Sequence, residues 1–262
     1  MEFALNHITT PKLPLDAFFA LARKLGMKRV EIRNDLPDIV GQVPPSEVRA
    51  SAAAAGVEIA AINALYPFND WSGDLPERAL NLADYAAEAG AKALVMCPRN
   101  DGTEIPQTAL VDALGQLKPI LSERGLTGLL EPLGFPVSSL QSKALAVAAI
   151  EEADGNACFR LVHDTFHHHL AGETGVFADA TGLVHISGVT DPALTVAEML
   201  DDHRVLVDAA DRLENVPQIR ALMAAGYTGP FSFEPFAPDV QALDDPESAL
   251  RASMDYFATS VG

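Results

Sequence analysis

The chain has 262 residues, 48% of them hydrophobic, and carries 36 acidic against 18 basic side chains for a formal charge of −18. That length matches the roughly 250 residues of a single (β/α)8 barrel, so one domain over residues 1–262 is expected. A charge of this sign without any Lys/Arg cluster argues against nucleic acid as a partner, and no apolar run approaches the ~18 residues of a membrane span.

The opening MEFALNHITT has no basic region followed by an apolar stretch, so a secretory signal is not expected and a cytoplasmic location is. Apolar runs then alternate with helical patterns. Strand 3–6 precedes helix 15–25, strand 29–32 precedes helix 46–55, and strand 58–63 precedes helix 77–89. Strand 93–97 leads to helix 108–124, and strand 128–131 to helix 140–152. The sixth strand, 159–164, is followed by a histidine run, which leaves only 176–180 for a helix of a single turn. Strand 182–186 precedes an extra helical segment at 194–200 and helix 216–225, and strand 231–236 precedes helix 248–259.

Alternation of this kind predicts a parallel sheet, closed into a TIM barrel, with a doubly wound open sheet as the competing fold. Glycines 26, 56, 90, 125 and 226 follow helices directly, as left-handed helix stops do, so the short turns gather at one end. The longer segments gather at the other end, where barrel enzymes keep their chemistry. Cys97 and Cys158 have no zinc or redox spacing and are expected as buried, reduced thiols.

Four residues close successive strands at that end: Glu131 in GLLEP, Asp164 in RLVHD, His185 in GLVHI and Glu234 in FSFEP. Singly, each has an ordinary explanation as a cap, a core histidine or an ion-pair partner. Together they form an oxygen-rich set with one imidazole, suited to one divalent ion: Mn²⁺ first, with Mg²⁺, Co²⁺ or Zn²⁺ as alternatives. Few basic residues lie near these strands in the sequence, so a cation is expected to neutralise the carboxylates. His163 should face the helix layer, and His167, one turn past Asp164, should overhang the mouth and contact substrate. Tyr66, Phe68 and Trp71 are candidates for an apolar wall, with Trp71 taken as substrate-binding.

The series LLEP, HDTFH, VHIS and FSFEPF resembles the xylose isomerase-like TIM-barrel superfamily, which includes sugar isomerases, ketose 3-epimerases, inosose dehydratases and the endonuclease IV class. INALYPFNDW at 62–71, DDHRVLV at 201–207 and GYTGPFSFEPF at 226–236 make the chain most similar to the 2-keto-myo-inositol (inosose) isomerase branch of inositol catabolism. The resemblance implies metal ligation by Glu131, Asp164, His185 and Glu234, and substrate binding by His167 and Arg204. Two departures stand out. The glycine-rich turn that usually follows the arginine is replaced by Val207-Asp208-Ala209-Ala210-Asp211, and Val137 occupies the place of a second epimerase glutamate.

The expected activity is metal-dependent isomerisation or epimerisation of a neutral keto-polyol, with inosose foremost. A proton alpha to the carbonyl is removed, the metal stabilises the enediolate, and Glu131 and Glu234 are the acid/base pair. A phosphorylated substrate is not expected, because SGVTDPAL and APDVQALDD offer four aspartates and one glycine where barrel phosphate sites have glycine-rich loops. The alternatives are an inosose dehydratase on the same site and a non-catalytic sugar-binding barrel. DNA repair of the endonuclease IV type would need more metal ligands and a basic groove. Homo-oligomerisation is left open.

Overall fold

In a parallel sheet covered on both faces, alternate residues of each strand enter two different cores. The computed structural model, which describes residues 1–37 and 39–261, shows that division. Its strands are β1 (Glu2–Asn6), β2 (Arg29–Arg33), β3 (Glu58–Leu65), β4 (Ala93–Met96), β5 (Thr127–Leu130), β6 (Phe159–Asp164), β7 (Thr181–Ile186) and β8 (Pro230–Phe233). Neighbours pair in sequence order, and β1 pairs with β8 through Ala4 opposite Ser232 and Leu5 opposite Phe233. This last pairing closes the barrel and rules out the open sheet.

Inside the barrel, Ala61, Ala93, Val95, Leu129, Val162 and Leu183 form a small apolar plug. The intervening residues, among them Leu94, Met96, Leu130, Leu161 and Val184, point outward into the larger core beneath the helices. Those helices are α1 (Leu15–Lys24), α2 (Pro45–Ala55), α3 (Leu75–Ala89), α4 (Gln107–Ser122), α5 (Lys143–Glu152), α6 (Thr165–Ala171), α7 (Asn215–Ala224), the short α8 (Pro238–Gln241) and α9 (Pro246–Val261). Helix α4 illustrates their logic: Leu110, Ala113, Leu114, Leu117 and Leu121 recur at three- and four-residue spacing and are all buried. Each leucine so buried contributes about 1.5–3 kcal/mol of transfer free energy.

Helix stops fall where the glycines predict them: Gly56 (φ 70°) and Gly90 (φ 83°) end α2 and α3 in the left-handed region. Helix α5 begins at Lys143 and not at 140, because the Ser142 hydroxyl accepts the amide hydrogens of Ala144 (3.1 Å) and Leu145 (3.4 Å). The sixth helix differs more. It is the histidine run itself, starting immediately after β6, whereas 176–180 holds only the 3-10 turn Ala178–Ala180. Similarly, 194–200 contributes a 3-10 turn at Val196–Glu198 in place of a full helix. Among the described residues, no helix is long and apolar enough to cross a membrane.

Candidate metal centre

Two positions beyond the plug, the same inward faces carry polar groups: Leu129 is followed by Glu131, Val162 by Asp164, and Leu183 by His185. Glu234 stands likewise two positions past the buried Ser232 at the end of β8. Direct pairing of Asp164 with His185, and of His185 with Ser232, sets these side chains side by side. One donor atom from each of Glu131, Asp164, His185 and Glu234 lies within 4.8 Å of all the others. An ion with ligand distances of about 2.0–2.6 Å can bridge such a span after small adjustments.

His185 Nδ1 is the hub, 2.9 Å from Glu131 Oε1, 3.0 Å from Glu234 Oε2 and 3.8 Å from Asp164 Oδ2. Burial alone would lower the proton affinity of this imidazole. The field of Glu234, Glu31 and Glu131 reverses that and holds its pKa well above the ordinary histidine range. A site that draws a proton so strongly has the negative potential a divalent cation needs, and its oxygen-rich donor set fits a hard or borderline ion.

Asp164 divides its work between two oxygens. Oδ1 accepts the amide hydrogens of Phe166 (2.7 Å) and His167 (3.0 Å), capping α6, while Oδ2 faces the cluster. The cap considered from the sequence is present, and it leaves Oδ2 to serve the candidate metal cluster. This cap also explains why a helix starts at the strand's end with no intervening loop.

Two arginines do lie beside the carboxylates in three dimensions, although they are too few to neutralise them. Arg204 is fully buried, donating to Asp164 Oδ2 (2.6 Å), Glu234 Oε2 (3.1 Å), Ser187 Oγ (2.9 Å) and Asp201 Oδ1 (3.1 Å). Its guanidinium stacks on Phe166 and Phe236, with centroid distances of 5.0 and 4.7 Å. Arg33 donates to Glu234 Oε1 at 3.1 Å and pairs with the more exposed Asp35. The chain segments bearing these arginines are remote in sequence from their partners, so linear proximity hid them. Even so, the buried carboxylates of Glu31, Glu131, Asp164 and Glu234 outnumber the two guanidinium groups by two. With His185 neutral, as a ligating imidazole must be, that excess equals the charge of one divalent cation.

Glu234 is the most heavily bonded of the set. Its Oε1 accepts from Asn6 Nδ2 (3.0 Å), Asn63 Nδ2 (3.1 Å) and Arg33, and burial is outweighed by His185, Arg204 and Arg33, which drive its pKa far below the carboxylate range. Glu131 Oε2, by contrast, accepts only the Cys97 thiol among the described residues, at 3.3 Å. Asn6, Glu31, Arg33, Asn63 and Cys97 were not identified from the sequence. Their signal was present, since Asn6, Glu31, Arg33 and Asn63 are polar residues within buried strands and Cys97 directly follows β4.

His167 is buried in the first turn of α6, edge-on to the rings of Phe135 (5.1 Å) and Phe166 (5.3 Å), and its enclosed Nδ1 has no hydrogen-bond partner among the described residues. His163 faces the helix layer, where Nε2 is 2.9 Å from Gln218 Oε1 of α7, and His168 approaches Lys143 Nζ at 2.5 Å. Trp71 is partly buried against the main core, Phe68 has no exposed surface, and Tyr66 is exposed. Phe68 is thus a core residue and not a free wall. Gly134 matters to the position of His167: a Cβ there would overlap the His167 carbonyl oxygen and lie 2.8 Å from Leu170 Cβ. Gly134→Ala is expected to push α6 outward and cost about 1–3 kcal/mol, seen as a lowered midpoint in thermal unfolding.

Fold and site together define a closed parallel β/α barrel with a candidate divalent-metal centre at the C-terminal ends of its strands. The chain belongs to the xylose isomerase-like TIM-barrel family, whose sequence profile matches residues 19–260. A xylose isomerase domain containing protein from Salmonella typhimurium LT2 is 35% identical, with a TM-score of 0.92 over 99% of this chain and 97% of that one. The IolI protein, solved with a zinc atom bound, shares 21% identity and a TM-score of 0.84, over 100% of this chain and 98% of its own. A D-psicose 3-epimerase from Clostridium cellulolyticum H10 shares the fold at 15% identity and a TM-score of 0.77, over 100% and 99% of the two chains. Comparison with curated proteins gave no match.

Proposed function

We propose that this protein is a divalent-metal-dependent isomerase or epimerase of a neutral keto-polyol, with 2-keto-myo-inositol (inosose) as the first substrate to test. The observation that carries the reading is the convergence of Glu131, Asp164, His185 and Glu234 donors within 4.8 Å at the barrel mouth. The zinc atom in the IolI protein and the epimerase among the fold neighbours support it. Bound by these four residues, Mn²⁺ or a similar ion would supply Lewis acidity toward a substrate carbonyl.

The chain's own groups divide the remaining tasks. Glu131 and Glu234 are the acid/base candidates, and their hydrogen bonding separates them. Glu234 is held anionic by two amides and two guanidinium groups, which makes it a weak proton acceptor. Glu131, with one thiol donor on its Oε2, is the better base for the proton alpha to the carbonyl. His167, in the first turn of α6 directly after Asp164, would bind a substrate hydroxyl. Arg204 would steady the ligand carboxylates from behind while its position fixes the substrate's approach. Trp71 would offer an apolar edge to the C–H face of a ring. The loops after β7 and β8 carry Asp191, Asp208, Asp211 and Asp239, which disfavours a phosphate dianion.

Incubation of the protein and Mn²⁺ with 2-keto-myo-inositol in D2O tests the reading. Deuterium is expected at the carbon alpha to the ketone, together with an isomeric ketone. A dione product would instead make the protein a dehydratase, and absence of exchange with every neutral keto-polyol tried would leave a non-catalytic sugar-binding barrel.

A further inference from the structure

We infer that Glu31 is the positioning residue that aims His185 at the ion, an inference that rests on the metal-site reading above. Glu31 lies on β2, is fully buried, and is absent from the ligand set. Its Oε2 is 3.1 Å from His185 Nε2, and its Oε1 accepts the Ser232 hydroxyl at 2.5 Å. The imidazole is therefore gripped at both nitrogens, by Glu31 on one side and by the ligand cluster on the other.

The assignment of hydrogens follows from what each partner can do. An ionised carboxylate only accepts, so Nε2 must carry its hydrogen toward Glu31. In the neutral ring this leaves the lone pair on Nδ1, the nitrogen that faces Glu131 and Glu234. Glu31 thus selects the tautomer able to ligate a cation and prevents the ring from turning. Its charge behind the ring also makes Nδ1 a stronger donor. Ser232 fixes the Glu31 carboxylate in turn, and it is the register partner of His185 on the adjacent strand. A buried carboxylate in the barrel interior is costly to desolvate. A purely structural link between β2 and β7 could be made by a neutral side chain, so the retained charge points to the ion.

Titration of the whole chain with Co²⁺ tests this, using isothermal calorimetry for affinity and the paramagnetically shifted proton spectrum for the His185 Nε2–H. The wild type is expected to bind one Co²⁺ and to show that proton in slow exchange with solvent. Glu31→Gln keeps an acceptor oxygen without the charge and should bind roughly 10-fold more weakly while retaining the resonance. Glu31→Leu loses both and should bind roughly 100-fold more weakly, with the proton lost to fast exchange. Wild-type affinity and an unchanged resonance in a folded Glu31→Leu protein would overturn the assignment and leave the metal site standing. Should that variant not fold, unchanged affinity in Glu31→Gln would overturn it. A wild type that takes up no Co²⁺ would overturn both this inference and the metal-site reading.

Discussion

Glu131→Gln is expected to slow deuterium exchange at the substrate's alpha carbon by about 10²–10⁴-fold, the usual contribution of a positioned general base. The substitution preserves volume, so β5 and the apolar plug beneath it should be undisturbed. It exchanges an oxygen that can take a proton for an amide that cannot, at the carboxylate whose Oε2 has only the Cys97 thiol as a partner among the described residues. One ligand charge is also lost, so metal occupancy must be measured in parallel and the exchange rate compared at saturating Mn²⁺. A fully metallated variant that exchanges the alpha proton at the wild-type rate would remove Glu131 from the role of base. The search would then turn to Glu234 despite its crowded surroundings.

Arg204→Met carries the larger consequence for folding. Methionine can fill much of the space between Phe166 and Phe236, so the loss is chiefly electrostatic. Asp164 Oδ2 and Glu234 Oε2 would lose their guanidinium partner while remaining buried. Breaking one side of a buried ion pair costs about 3–5 kcal/mol, which for a chain of this size lowers the thermal midpoint by on the order of 10 °C. Mn²⁺ should offset part of the loss, because an ion present at a hundredfold excess over its dissociation constant stabilises the native state by about 2.7 kcal/mol. Thermal unfolding with and without EDTA separates the two effects. A variant that unfolds at the wild-type midpoint in EDTA would show that the arginine does not carry this charge balance.

The candidate metal cluster was legible because Glu131, Asp164, His185 and Glu234 each end or follow a short apolar strand, and period-two alternation fixes the face they share. The barrel was legible from its eight strand–helix cycles and the length of the chain, while the β1–β8 pairing that excludes an open sheet had to be seen in the structure. What escaped was everything that depends on the first half of the chain reaching across to the second. Glu31 and Arg33 alternate with Val30 and Ile32, a pattern that reads locally as an edge strand with a wet side, whereas the wet side here is the interior of the barrel mouth. Arg204 was assigned to substrate through its motif, but its place beneath Asp164 follows from the long segment between β7 and α7, which no local periodicity describes. The sixth helix was misplaced because a strand and a helix share Asp164 as a common end, without the turn residues that usually mark the transition.

Closure by the β1–β8 pair has a bearing on how the protein matures. Glu234 receives hydrogen bonds from Asn6, Arg33 and Asn63, contributed by the first three strands to be synthesised, and it belongs to the last to leave the ribosome. Until that final strand docks, those early donors lack the Glu234 acceptor and the four-residue cluster is incomplete. On the proposed reading, capture of the ion would thereby be deferred to the end of folding, and a half-built barrel would lack the complete cluster needed to hold it.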